Sequence, residues 1–300
     1  MHFLMVFSCL FIFISCGKKG NTTGAYELPD MKTVSLTPVA YIEHDEVGES
    51  SGIAKSRAYP GYFWTHNDSG GKSCLYALKV EDGEMKKGPV LNLKNAENRD
   101  WEDLSIDRFG HIYVSDTGNN SQEREILHFY VIPEQSTNGL GKKYSFRYPD
   151  YKKPVKVDNF DCEALFHFND KLYLLTKHRD DAKTKLYRFN ELVENVVMVP
   201  EKLYTFDIGG QVTAADMSPS QKQLAVLTYD SIWLFKNFKD DRFFSGEVYF
   251  LPISARQCEA MCFSSEDELI ITNEQRDIFK VAVHDFVLLS KEKKVYSLVK

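Results

Sequence analysis

The sequence predicts an all-β protein, a β-propeller of five blades with four antiparallel strands in each. Three observations carry that prediction. A paired-strand pattern recurs five times, its copies starting roughly 44–61 residues apart, which is the spacing of four-stranded propeller units. A turn stands between the two strands, as in Arg108-Phe109-Gly110, Asn169-Asp170 and Ser264-Ser265-Glu266-Asp267. Phe and Tyr are abundant, at 21 and 16 residues, and aromatic side chains favour strands.

Taken in order, the first strands open at Ser51 (SGIAKS), Glu102 (EDLSID), Glu163 (EALFHF), Ala215 (ADMSPS) and Glu259 (EAMCFS). Their partners close at Asn67, Asp116, Thr176, Thr228 and Asn273. Third strands are expected at 75–78, 128–131, 186–189, 232–235 and 278–281, and fourth strands at 89–93, 142–148, 201–208 and 247–253. The fifth unit has no fourth strand directly after its third. The N-terminal segment 34–45 is expected to supply it and close the ring, which removes open sheet edges; the tail 294–300 competes for the same place. Six blades, one of them strongly diverged, is the alternative count. A sandwich or a pair of small β domains fits less well, because spacing within the units is nearly constant and no Pro/Gly/Ser linker divides the chain.

The domain expectation is a signal peptide over 1–15, a lipidated Cys16 with a flexible tether over 16–33, and one propeller over 34–300. Phe3 to Ile14 is apolar apart from Ser8 and Cys9. That run is shorter than the ~20 residues of a membrane span and fits a secretory leader. Phe13-Ile14-Ser15-Cys16 resembles a bacterial lipobox, in which the cysteine becomes the lipidated end. The protein is therefore expected in the bacterial cell envelope, periplasmic or surface-exposed, held to the membrane by its lipid alone, as a monomer. A net charge of −6 argues against nucleic acid as partner. Cys74, Cys162, Cys258 and Cys262 lie in or beside strands without zinc-site spacing, and are expected to be reduced and buried.

The string SGIAKSRAYPGYFWTHNDSGGKSCLYAL, followed by NAENRDWEDLSIDRFGHIYVSDTGNN, resembles bacterial propeller proteins labelled esterase-like or phytase-like, or grouped with NHL- and gluconolactonase-type propellers. The likeness is strong over Ser51 to Asn120 and weak beyond. It implies a hydrolase. In gluconolactonase-type propellers a divalent cation sits in the central channel on Glu, Asn and Asp side chains, and Glu102, Glu163, Glu259, Asn67, Asp116 and Asn273 fall at comparable places.

The same residues follow from the repeat itself. In a propeller the first strand of each blade lines the channel, so first-strand starts and second-strand ends share one mouth. Glu102, Glu163, Glu259 and Asp116 are four carboxylates gathered there, and they cannot all stay ionised unaided. Either a cation neutralises them, some take up protons, or Lys177, Arg179 and Arg256 reach in. An oxygen-only set suits Ca²⁺ or another hard divalent cation; bracing of the blade loops is the competing role. Trp101, Cys162 and Cys258 precede the three glutamates, point the other way, and are expected to pack between blades. Asn67, Asp68, Asp116 and Lys177 are candidate ligand-binding residues; His66 and His178 are candidate general bases. The chain has no GxSxG elbow, HExxH motif or P-loop. Two functions remain open. One is an envelope-tethered module that binds a small anionic or sugar-like ligand, or an envelope protein, at the funnel. The other is a metal-dependent hydrolase of a lactone or phosphoester.

Overall fold

Every strand pair expected from the repeat forms a hairpin, and each hairpin grows into a four-stranded antiparallel sheet. The computed structural model describes residues 22–23, 26–28, 30–153, 155 and 159–289. Blade 1 comprises Gly52–Lys55, Phe63–His66, Cys74–Glu81 and Glu84–Asn92. Blade 2 comprises Trp101–Ile106, His111–Asp116, Leu127–Pro133 and Lys142–Phe146. Blade 3 is Asp161–Phe168, Lys171–Lys177, Lys183–Phe189 and Glu201–Asp207. Blade 4 is Val212–Met217, Gln223–Thr228, Ser231–Lys236 and Glu247–Ser254. Blade 5 takes Cys258–Phe263, Glu268–Asn273 and Asp277–Ala282 from its own segment. Its outer strand is Ala40–Tyr41, with Tyr41 opposite Asp277 and Ala40 opposite Ile278.

The ring therefore has five blades and closes through an N-terminal strand. Closure uses less of the 34–45 segment than expected. Pro38 has no N–H to give a ladder, and the chain changes partner around it. Val34–Ser35 runs parallel to the outer strand of blade 4, while the Val39 amide donates to the Ile278 carbonyl at 2.8 Å. Two further additions extend outer strands: Val197–Met198 on blade 2 and Val287–Leu288 on blade 4.

The core is divided among the blade junctions. Five clusters of buried side chains fill the spaces between blades 1 and 2, 2 and 3, 3 and 4, 4 and 5, and 5 and 1. Alternation along each strand makes this arrangement, because every blade must bury both faces against its neighbours. Trp101, Cys162 and Cys258 are fully buried in three of these clusters. The four cysteines of the blades are free and buried. Asn169 and Asp170, with φ of 47° and 60°, form the tight turn that their sequence chemistry demands.

Two expectations need adjustment. In blade 4 the repeat aligned Ala215 with Glu102, but the inner strand begins at Val212. Val212 pairs with Thr228 as Trp101 pairs with Asp116, so Thr213 holds the glutamate position. The segment expected as a tether is not free along its whole length: Tyr26 is buried between Phe206 and Trp233, with ring centroids 6.2 and 6.4 Å away. An aromatic ring within reach of an apolar junction is stabilised by leaving water. The expected signal peptide, Cys16 and the competing tail 294–300 lie outside the described residues.

Candidate metal centre

A β-bulge places the acids. In blades 3 and 5 the register skips Glu163 and Glu259, each an extra residue between paired neighbours. In blade 2 the skip covers Glu102 and Asp103 opposite Ser115. Bulges bend a strand and re-aim a side chain, and here they fall at the channel mouth in every one of these blades.

The described residues contain two groups of three carboxylates whose ligand atoms lie within 4.8 Å of one another: Asp68–Asp100–Glu102, and Glu102–Asp161–Glu163. Glu102 belongs to both. Its side chain is 6% exposed and, among the described residues, accepts no hydrogen bond and joins no ion pair. Burial holds its carboxyl well above the usual range, and Glu163, Asp161, Asp68 and Asp100 push the same way. Asp100 is raised to about 6 by burial and by Asp68 and Asp161. Gly118 closes over this pair. A methyl group there would collide with Glu102 Oε1 and the Asp100 carboxylate, so only glycine leaves the cradle open.

The remaining acids have partners. Lys177 Nζ lies 3.1 Å from Glu163 Oε1 and donates to the Tyr229 hydroxyl at 2.8 Å. Tyr229 donates in turn to Glu259 Oε1 at 2.9 Å. Burial raises Glu259 to about 7 against the opposing pull of Lys177. Burial opposes the charge on Lys177, but Glu163 and Glu259 outweigh it and keep the amine protonated. Arg179 Nη1 donates to Asp161 Oδ2 at 2.5 Å, and the Asn119 amide to Asp161 Oδ1 at 2.6 Å. Asp116 accepts from Arg124 Nη2 at 2.9 Å and from the Asp100 amide at 3.2 Å.

The sequence candidates thus separate. Glu102 and Glu163 meet directly, with Asp68 beside Glu102, and Glu259 joins them through Tyr229 and Lys177. Asp116 stands behind the cluster, tied to Arg124. Asn67 and Asn273 are used as braces. Asn67 Oδ1 accepts from the Gly48 amide at 2.8 Å and its Nδ2 donates to the Glu46 carbonyl at 2.6 Å. Asn273 is held by Ala255 and Asp277. His66 packs edge-on against Trp101. Burial lowers it to about 4, with Nδ1 on the Asn67 carbonyl, so it is neutral. His178 Nδ1 lies 2.6 Å from Asp181 Oδ1 in the loop after the second strand of blade 3.

Sequence reasoning did not name Asp100, Asp161, Tyr229 or Arg124. The signal for two of them is present: Asp100-Trp101-Glu102 and Asp161-Cys162-Glu163 share an Asp-x-Glu spacing, and residues two apart on a strand face the same side. At the other mouth, a separate cavity of about 180 Å³ is lined by Arg57, Ser105, Arg108, His167, Asp216 and neighbouring residues.

The residues present fit a hard cation: oxygen donors only, one of them buried and without a donor, in a cradle that a side chain would fill. No family model matches the chain, and no curated protein does. Among solved structures, a gluconolactonase from Xanthomonas campestris is similar at a TM-score of 0.45 and 12% identity, over 78% of this chain and 71% of that one. A likeness this distant says nothing of substrate.

Proposed function

We propose that the funnel holds a hard divalent cation, Ca²⁺ first, on carboxylates drawn from Asp68, Asp100, Glu102, Asp161 and Glu163, and binds a small anionic or sugar-like ligand at the same mouth. The observation that carries this reading is Glu102, buried without a donor against four other carboxylates. Such a group is costly unless something neutralises it. When bound, a cation would supply that neutralisation and polarise a ligand oxygen. The test is thermal melting of chelator-stripped protein with and without calcium. Saturation at 100 times the dissociation constant should stabilise the fold by about 2.7 kcal/mol. A protein whose melting ignores both calcium and chelator would overturn the reading.

One observation favours a second reading, metal-dependent hydrolysis of a lactone or phosphoester. The Glu259 carboxyl, at about 7, is poised for general acid–base work near neutral pH, and Tyr229 and Lys177 link it to the acid cluster. Neither His66 nor His178 is as well placed. If the protein turns over such substrates, Glu259→Gln should lower kcat with KM little changed; turnover indifferent to that change would rule the role out.

The envelope setting rests on the lipobox-like Ser15-Cys16. Cys16→Ala should move the protein from the membrane fraction to the soluble one, because removing the acyl chains removes the anchor.

A further inference from the structure

We propose that Lys177 is a resident counter-cation: it fills the blade 3 half of the acid cluster, directs a divalent ion to the Asp68–Asp100–Glu102 half, and so limits the funnel to one ion. This inference rests on the metal reading above.

The five carboxylates are not equivalent in what already touches them. Glu163 Oε1 is 3.1 Å from Lys177 Nζ and 3.8 Å from Arg179 Nη2. Asp161 Oδ2 is 2.5 Å from Arg179 Nη1, and its Oδ1 takes a backbone amide. The Glu102–Asp161–Glu163 group, though compact enough for an ion, therefore has an ammonium and a guanidinium against two of its three members. Across Glu102 the picture reverses. No Lys or Arg among the described residues forms an ion pair with Asp68, Asp100 or Glu102. Among the described residues the Asp68 carboxylate takes only the neighbouring Ser69 amide, at 2.6 Å, and the Asp100 carboxylate accepts no hydrogen bond.

Lys177 is also fixed in place. It is 4% exposed, its ammonium is bonded to the Tyr229 hydroxyl at 2.8 Å and lies 4.8 Å from the centre of the same ring. Tyr229 is itself held by Glu259 at 2.9 Å. A lysine pinned at both the charge and the ring is not a surface lysine that swings aside for a metal. A divalent ion entering the blade 3 half would meet like charge at close range, whereas in the other half it meets three acids that Lys177 and Arg124 influence only from beyond ion-pair distance. Glu102, shared by both groups and without a partner among the described residues, is the ligand available to the open half.

Calorimetric titration of chelator-stripped protein with calcium chloride tests this. The parent should bind one equivalent. Lys177→Met should bind two, the added one weaker, and Lys177→Arg, which keeps the charge, should stay at one. Asp100→Asn should weaken binding by at least roughly tenfold, since a hard cation depends on charged oxygen ligands, while Asp161→Asn should shift affinity far less. A Lys177→Met protein that binds one ion with the parent's affinity overturns the inference and leaves the metal reading standing. So does a loss of binding in Asp161→Asn with binding kept in Asp100→Asn, and this pair decides the matter if Lys177→Met does not fold. A parent that binds no calcium overturns the proposed function and this inference with it.

Discussion

Glu102 is the residue at which charge and burial conflict most openly, and its replacement has a definite sign. Glu102→Gln keeps the shape and removes one charge from a group of mutually repelling acids. The metal-free variant should melt above the metal-free parent, and calcium should no longer raise its melting temperature; a variant that melts lower without metal would show that the glutamate is satisfied as it stands. The pH response has the same origin. Asp100 and Glu259 are raised to about 6 and about 7, so the folded state holds protons that the unfolded chain, with carboxyls near 4, has released. Their contribution is fully present below about pH 4 and is lost as pH rises through 6 and 7. Metal-free protein should melt higher at pH 5 than at pH 8, and bound calcium should flatten or reverse that trend; melting that rises with pH in the absence of metal would contradict it. The three glutamates were legible because they recur at one point of the repeat. Asp100 and Asp161 are equally written in the Asp-x-Glu spacing, but a packing residue stands directly before each Glu and masks the acid one position further back. Asn67 and Asn273 are harder to read, because a strand-end amide looks alike whether it faces the channel or the loop, and its hydrogen-bond partners, 19 and 21 residues away for Asn67 and 4 and 18 for Asn273, decide which.

At the scale of the element, each blade is a unit that the sequence spells out, and the ties between blades are what it hides. Hairpin alternation and turn chemistry fixed four strands per unit. The start of blade 4 lies two residues before the position its sequence suggests, because Thr213 puts no acid there to mark it. Its hydroxyl donates to the Cys258 carbonyl at 2.9 Å and so joins blade 4 to blade 5; Thr117, just after the second strand of blade 2, joins blades 2 and 3 by donating to the Cys162 carbonyl at 2.8 Å. Another such tie is Glu134, just after the third strand of blade 2 and 4% exposed. It accepts from the Arg57 and Ala58 amides at 2.9 and 2.6 Å and from Trp64 Nε1 at 2.9 Å, all from blade 1. Glu134→Ala would leave those donors without an acceptor, including a buried indole N–H. Denaturant unfolding should show a loss of about 2–4 kcal/mol, with the calcium response retained in the folded fraction. A loss below roughly 0.5 kcal/mol, the level of an ordinary surface change, would show that water replaces the carboxylate.

For the whole molecule, closure is the decisive contact. Ala40–Tyr41 supplies the outer strand of blade 5, and Ile42 and Val47 are fully buried in the junction of blades 5 and 1. Removing residues 34–45 should abolish cooperative unfolding or lower the melting temperature by tens of degrees, because one sheet loses its edge strand and one junction its lid. A deletion variant melting within a few degrees of the parent would place the seal elsewhere. The same contact sets an order of events. Tyr41 is made roughly 240 residues before the Asp277 it pairs with, a sequence separation that slows folding. Until blade 5 emerges, the Ala40–Tyr41 strand has no berth, and afterwards the berth is open to any matching strand. At high concentration during refolding, the nearest matching strand can belong to another molecule. The feature that seals one ring thus also permits two chains to trade their closing strands and seal each other.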